Sequence, residues 1–316
     1  MSSNRGRRIA ITIAKTIIGV LVVLAVGRHV MKIWAKLPPE GRQIHVDWSW
    51  VAMSAACYFA GLLVFGFVFD QVLIRGNVLV GPYSTVRAYV ISHLGKYVPG
   101  KALVVVMRIG LLASAGARAS TVTFASFYET LLMMAAGGLL AAGLFLTDRA
   151  YWTTALLALG VGGAFLAVVS PQVFPRVCRL AILPFAKTNH DAIPVISARL
   201  LAIGLTAGIV GWSLWGMSQV ALVLAISPQS FPVARWPVVI AGVGFATIAG
   251  FVVAVLPGGL GVREGVLMAA LAPALGETTA IVAALGLRLV WISVELVAAG
   301  LLSMIRPQVP DRLTIP

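Results

Sequence analysis

The sequence predicts an all-α fold: a polytopic transmembrane helical bundle of about seven to nine spans. Three observations carry that prediction. Of the 316 residues, 60% are hydrophobic and 11% charged, whereas a soluble domain of this size needs roughly a quarter of its residues charged to cover its surface. The apolar residues also fall in long unbroken runs, not in alternating or one-sided stripes, so most of the surface must face lipid. The net charge of +14 fits the same frame, because Lys and Arg gather in cytoplasmic loops, where they set orientation and touch anionic headgroups. No nucleic-acid partner is expected, although such a charge in a soluble protein would suggest one.

A spanning helix needs about 20 apolar residues, which places spans at 9–27, 50–74, 121–146, 152–170, 200–226, 236–256 and 279–302. The first follows Arg5, Arg7 and Arg8 and resembles the start of a signal peptide. It lacks a convincing small-residue cleavage site, so it is read as an uncleaved helix whose arginines set orientation. Residues 84–116 and 257–275 are apolar but interrupted by Pro-Gly and studded with charge. Each is expected to be a re-entrant pair of half-helices or a broken span. Arg176, Arg179, Lys187 and Arg199 put the 171–199 loop on the cytoplasmic side with the N-terminus. The basic stretch from Arg28 to Arg42 argues the other way, tempered by Glu40 and Asp47. No Ser-rich or charged linker divides the chain, and 306–316 reads as a tail. Residues 1–316 are therefore expected to form a single integral domain, multi-pass, in the inner (cytoplasmic) membrane. Cys57 lies in an apolar run and Cys178 in a basic loop, which is neither a disulfide framework nor a Cys/His metal site.

Of ten acidic residues, Asp70, Glu129, Glu264 and Glu295 sit in or beside apolar runs, where an ionisable group is costly and faces a cavity or a partner. Asp70 is expected to make a local or interfacial ion pair beside Arg75. Glu129 and Glu295 lie deeper, as cavity lining or as members of interhelical pairs.

In "HLGKYVPGKALVVVMR", residues 93–108, Pro99 removes a backbone donor and Gly100 lets the chain turn. A helix beginning near Lys101 would present its first N–H groups and the positive end of its dipole. Lys101 and Arg108 are two turns apart and share a face; Tyr89, His93 and Lys96 share another on the far side of the break. A helix start flanked by cations suits a phosphate. The alternative is that Lys96 and Lys101 snorkel to the interface, which Arg108, farther along its helix, does less easily.

"VLPGGLGVREGVLMAAL", residues 255–271, repeats the design with Pro257, Gly258 and Gly259 followed by Gly261, Arg263 and Glu264. Adjacent helical residues point about 100° apart, so Arg263 and Glu264 cannot simply neutralise each other. Arg288 and Glu295 share a face but stand two turns apart. Each charge needs a partner on another helix or on a ligand, and the pairs expected first are Arg263 with Glu295 and Glu264 with Arg288. The similar distance from break to deep Glu in the two halves hints at a weak internal repeat. No H-E-x-x-H, G-x-S-x-G, Walker loop or carboxylate cluster for a divalent metal occurs. No catalytic residue, metal or cofactor is expected.

The "LGKYVPGK" stretch with Arg108, and above all "LPGGLGVREGVL" with Arg288 and Glu295, resemble the flippase-like, lysylphosphatidylglycerol synthase transmembrane-region family across most of the chain. Pro99, Gly100, Lys101, Arg108, Glu129, Pro257, Gly258, Gly259, Gly261, Arg263, Glu264 and Arg288 match its pattern. Glu129-Thr130 departs from it, because the family often has Glu-Arg there. The resemblance implies a membrane region similar to the one that, in bifunctional members, moves an aminoacylated phospholipid made by a separate cytosolic domain. Similar stand-alone members are assigned to translocation of lipids, lipid-linked sugars or hopanoids.

Residues and resemblance together lead to the expectation of a lipid flippase for an anionic or lipid-linked substrate. Lys101, Arg108 and Arg263 would meet phosphate. Lys96, Glu129, Glu264, Arg288 and Glu295 would complete the substrate site, with the carboxylates holding the cations or exchanging partners as the cavity changes side. The expected partners are membrane lipids and a separately encoded synthase or transferase. Two other readings stay open: a membrane-embedded transferase on a lipid-linked substrate, with Glu264 or Glu129 as base, and a scaffold for such a synthase.

Overall fold

A computed structural model of the chain describes residue 28 and residues 46–97, 102–182, 195–227, 231–253 and 261–305. Every regular element among the described residues is helical. In chain order these are α1 (Trp48–Arg75), α2 (Pro82–His93), α3 (Ala102–Leu112), α4 (Ala119–Phe145), α5 (Trp152–Val169), α6 (Phe174–Ile182), α7 (Ala198–Ile226), α8 (Trp236–Val252), α9 (Val262–Leu275) and α10 (Glu277–Met304). Their starts follow ordinary capping chemistry. Asp47 accepts from the Ser49 N–H at 2.9 Å ahead of α1, Ser197 accepts from the Leu200 N–H at 3.1 Å ahead of α7, and Pro82 opens α2, where a missing N–H costs nothing.

Six stretches among the described residues are long and apolar enough to cross a membrane: Trp48–Arg75, Ala119–Phe145, Arg149–Val169, Ala198–Ile226, Val233–Val252 and Glu277–Met304. They overlie the spans expected from 50 onward; the 9–27 span lies outside the described residues. The chain is thus a polytopic helical bundle. Its outward faces are apolar, with Leu156 and Leu157 on α5 and Val297 and Leu301 on α10 exposed, as a lipid solvent requires. α1 packs along α7, and α4 runs between α5, α7 and α8. Small residues bring α4 and α5 together backbone to backbone: a Cβ on Gly138 would lie 2.6 Å from the Gly162 Cα. The Trp212 indole donates to the Met133 carbonyl at 2.7 Å and ties α7 to α4.

The two interrupted segments behave differently from the spans. α2 and α3 have 12 and 11 residues, each short of the roughly 20 that a crossing needs. They fold back on each other as a hairpin, with Arg108 Nε donating to Ser92 Oγ at 3.3 Å. The 3₁₀ turn Leu94–Tyr97 continues α2 into this hairpin. Gly95 permits the close approach, since a Cβ there would stand 2.8 Å from the Val104 nitrogen. Pro99, Gly100 and Lys101 lie outside the described residues.

α2 runs antiparallel to the C-terminal half of α10, with Arg87 Nε donating to the Leu302 carbonyl at 2.7 Å and Lys96 reaching Glu295 at 2.5 Å. α9 lies along the N-terminal half instead, where Glu264 meets Arg288 at 2.7 Å, and Gly276 alone joins it to α10. The described parts of the two broken segments therefore come in from opposite ends of α10 and end near its middle, Lys96 at Glu295 and Arg263 at Trp291. Gly261 caps α9 at φ +86°, a conformation costly for any residue with a Cβ. Pro257, Gly258 and Gly259 lie outside the described residues.

Candidate functional site

Beside Lys96 and Arg263 the bundle holds a partly open cavity of about 300 Å³. Its lining mixes apolar side chains from α3, α4 and α8 with Lys96, Arg108, Glu129, Arg263 and Arg288. The structure thus gathers most of the sequence-predicted charges around one space, on five different helical elements.

Arg108 is 2% exposed and fully engaged. Its guanidinium carbon stands 4.4 Å from the Phe69 ring centroid and 4.5 Å from that of Tyr89, while Nη1 meets Glu129 Oε2 at 3.2 Å. Glu129, equally buried, also accepts from the Tyr89 hydroxyl at 3.1 Å. A buried cation is tolerated when paired and hydrogen-bonded, and aromatic faces add to its holding. Thr130, where the family often has arginine, turns its hydroxyl to the Ser126 carbonyl at 2.8 Å and grazes Glu129 at 3.5 Å.

Glu295 is completely buried. One carboxylate oxygen accepts from Lys96 Nζ at 2.5 Å and from the Tyr58 hydroxyl, with His93 Nε2 4.0 Å away; the other has no hydrogen-bond partner among the described residues. The expected pair of Glu295 with Arg263 does not form. α9 crosses α10 one turn closer to its N-terminus, at Trp291, so the carboxylate of Glu295 faces the α2–α3 hairpin and takes its lysine.

Glu264 pairs with Arg288 at 2.7 Å as the spacing suggested. Its second oxygen accepts from the Gly261 N–H at 2.7 Å, so this carboxylate both stitches α9 to α10 and caps its own helix. Asp70 does not pair with Arg75 among the ion pairs of the described residues: five residues apart, the two point to nearly opposite sides of α1.

Arg263 is the exception. It is 8% exposed, lines the cavity and lays its guanidinium 4.1 Å over the Trp291 ring. Among the described residues it makes no hydrogen bond and no ion pair with a carboxylate. The lining's Lys96, Arg108 and Arg288 each have a carboxylate, and this arginine has none.

Sequence reasoning missed the aromatic floor. Tyr58 stacks on Trp291 with centroids 4.2 Å apart, Trp215 leans on both, and the Trp291 indole donates to Ser218 Oγ at 3.1 Å. The usable signal was position: these rings sit inside spans, whereas membrane tryptophan and tyrosine concentrate at the interfaces.

A bundle of helices long and apolar enough to span a membrane, with two broken segments beside a buried charged cavity, defines a multi-pass membrane protein. Residues 9–299 match the family described as "Lysylphosphatidylglycerol synthase TM region". The chain belongs to that family. No curated protein matches it as a relative.

Proposed function

We propose that the chain carries a lipid with an anionic or lipid-linked headgroup across the cytoplasmic membrane, the headgroup in the central cavity and the tails in the bilayer. The observation that supports this best is Arg263: a buried cation lining the cavity with no carboxylate of its own among the described residues. Ionisable groups inside a membrane mark the path of a polar substrate. Discontinuous helices meeting near the midplane are a recurrent way to build a transporter's substrate site.

In this mechanism the headgroup enters beside Arg263, and Lys96 trades Glu295 for the ligand. The carboxylate then keeps the Tyr58 hydroxyl and does not stand alone. A separately encoded synthase or transferase would supply the lipid.

Reconstitution tests the proposal. Proteoliposomes carrying fluorescent phosphatidylglycerol in both leaflets are expected to lose the dithionite-protected half of the signal many times faster than protein-free vesicles. Rates equal to the protein-free control for every anionic or lipid-linked lipid tried would end the transport reading.

A further inference from the structure

We infer that the cavity is a selective site for the phosphodiester monoanion of a lipid, seated on Arg263, and that it discriminates against cationic headgroups. This deepens the translocation proposal by naming its substrate class, yet it concerns binding and stands or falls separately.

The charge balance comes first. Among the described residues around the cavity Lys96 has Glu295, Arg108 has Glu129 and Arg288 has Glu264, which leaves the formal charge of Arg263 in excess. A monoanion cancels that excess. A dianion would bring an unmatched negative charge into a low-dielectric site, and a headgroup carrying two amines on one phosphate would add a positive charge where one is already uncompensated.

Geometry agrees with the count. Arg263 lies over the Trp291 ring and lines the cavity, and the planar N–H fork of a guanidinium matches the oxygens of a phosphate. Arg263 also sits in the first turn of the 14-residue α9, whose positive dipole end favours an anion. The capping by Glu264 takes up the Gly261 N–H.

Size and rim indicate a lipid. At about 300 Å³ the cavity is at the small end of ligand sites, room for a compact headgroup but not for acyl chains. Phe127 of α4 lines the cavity while 56% exposed. Partly exposed Val105 of α3 and Phe251 of α8 complete an apolar rim, past which chains can run into the bilayer.

The test uses the full chain in phosphatidylcholine nanodiscs, with bound species counted by native mass spectrometry. Phosphatidylglycerol is expected to bind at least tenfold tighter than lysylphosphatidylglycerol. Folded Arg263→Gln is expected to lose at least tenfold for phosphatidylglycerol and most of the selectivity, and Arg263→Lys to keep the selectivity. Equal or tighter binding of the lysyl lipid overturns the inference, as does unchanged phosphatidylglycerol binding in folded Arg263→Gln. Should Arg263→Gln not fold, the two lipids on the unaltered chain decide alone. Inorganic phosphate or glycerophosphoglycerol binding as tightly as the lipid would make this a site for soluble anions and overturn the lipid assignment. Selective binding without vesicle transport removes the translocation proposal and leaves this one; transport with preference for the lysyl lipid does the reverse.

Discussion

Arg108 and Arg263 invite comparison. Both are buried arginines on short helices that follow a Pro-Gly break, both lie against an aromatic ring, and both line the same cavity. Arg108 is held by two rings, a serine and a carboxylate. Arg263 rests on one ring. Two arginines that each follow a Pro-Gly break are therefore held differently: one ties the α2–α3 hairpin to α4, and the other lines the cavity with no carboxylate among the described residues. Charge alone does not distinguish the two; the number of partners does.

The sharpest way to break this contrast is Glu129→Gln, which strands Arg108. Removing one partner of a buried pair costs about 3–5 kcal/mol, so a large fall in the thermal unfolding midpoint in detergent is expected, partly recovered by adding Arg108→Met. A loss below about 1 kcal/mol, the scale of an exposed pair, would mean that Arg108 is no better held than a surface residue.

Next in size is Lys96→Met. A hydrogen bond to a charged group is worth about 1.5–3 kcal/mol, and the Lys96 side chain is 23% exposed, so a loss in that range is expected along with faster proteolysis near the hairpin. A protease pattern identical to that of the unaltered chain would show that the hairpin tip is held without Glu295.

Arg263→Gln should be mild by the same unfolding measurement. A cation over a ring contributes about 0.5–2 kcal/mol, and relief of an uncompensated buried charge offsets part of it. A stability change within about 1 kcal/mol is expected beside the loss of anionic lipid. If Arg263→Gln destabilises as much as Glu129→Gln, the two arginines are alike and the contrast fails.

The smallest perturbation tests geometry. Leu79 precedes α2 and is 81% exposed, and exposed Glu277 opens α10. If the broken segments enter from opposite membrane faces, cysteines at 79 and 277, with Cys57 replaced, will be labelled by an impermeant maleimide from opposite sides. Native Cys178 contributes little background, because burial pushes its thiol up to about 11 and little of the reactive thiolate exists near neutrality. Labelling of both sites from one side would rule out opposed entry.

Much of the bundle was legible because a spanning helix is written in composition: twenty apolar residues in a row leave few alternatives. The charged positions were legible for a related reason, since an ionisable residue in such a run stands out. Which charges meet was only half readable. Helical spacing says that Arg288 cannot reach Glu295; of the two pairings expected on that ground, Glu264–Arg288 forms and Arg263–Glu295 does not. It does not say which element lies beside Glu295, and the answer was Lys96, 199 residues away in the chain. The role of Gly95 is not written in the sequence, because it depends on Val104 lying across from it. Tyr58 and Trp291 were hidden by their hydrophobicity, indistinguishable in a span from residues that merely fill space.

The Lys96–Glu295 contact has a consequence for synthesis. Glu129 follows Arg108 by 21 residues, so that pair can close soon after α4 leaves the ribosome. Lys96 must wait for the last helix, and until then its ammonium has no carboxylate waiting for it. Chains emerge N-terminus first, at about 5–20 residues per second, which leaves Lys96 without Glu295 for roughly 10–40 seconds while Arg108 already holds the hairpin to α4. During that interval a lysine inside the membrane protein lacks its counter-charge, and a chain truncated before residue 295 never gains it.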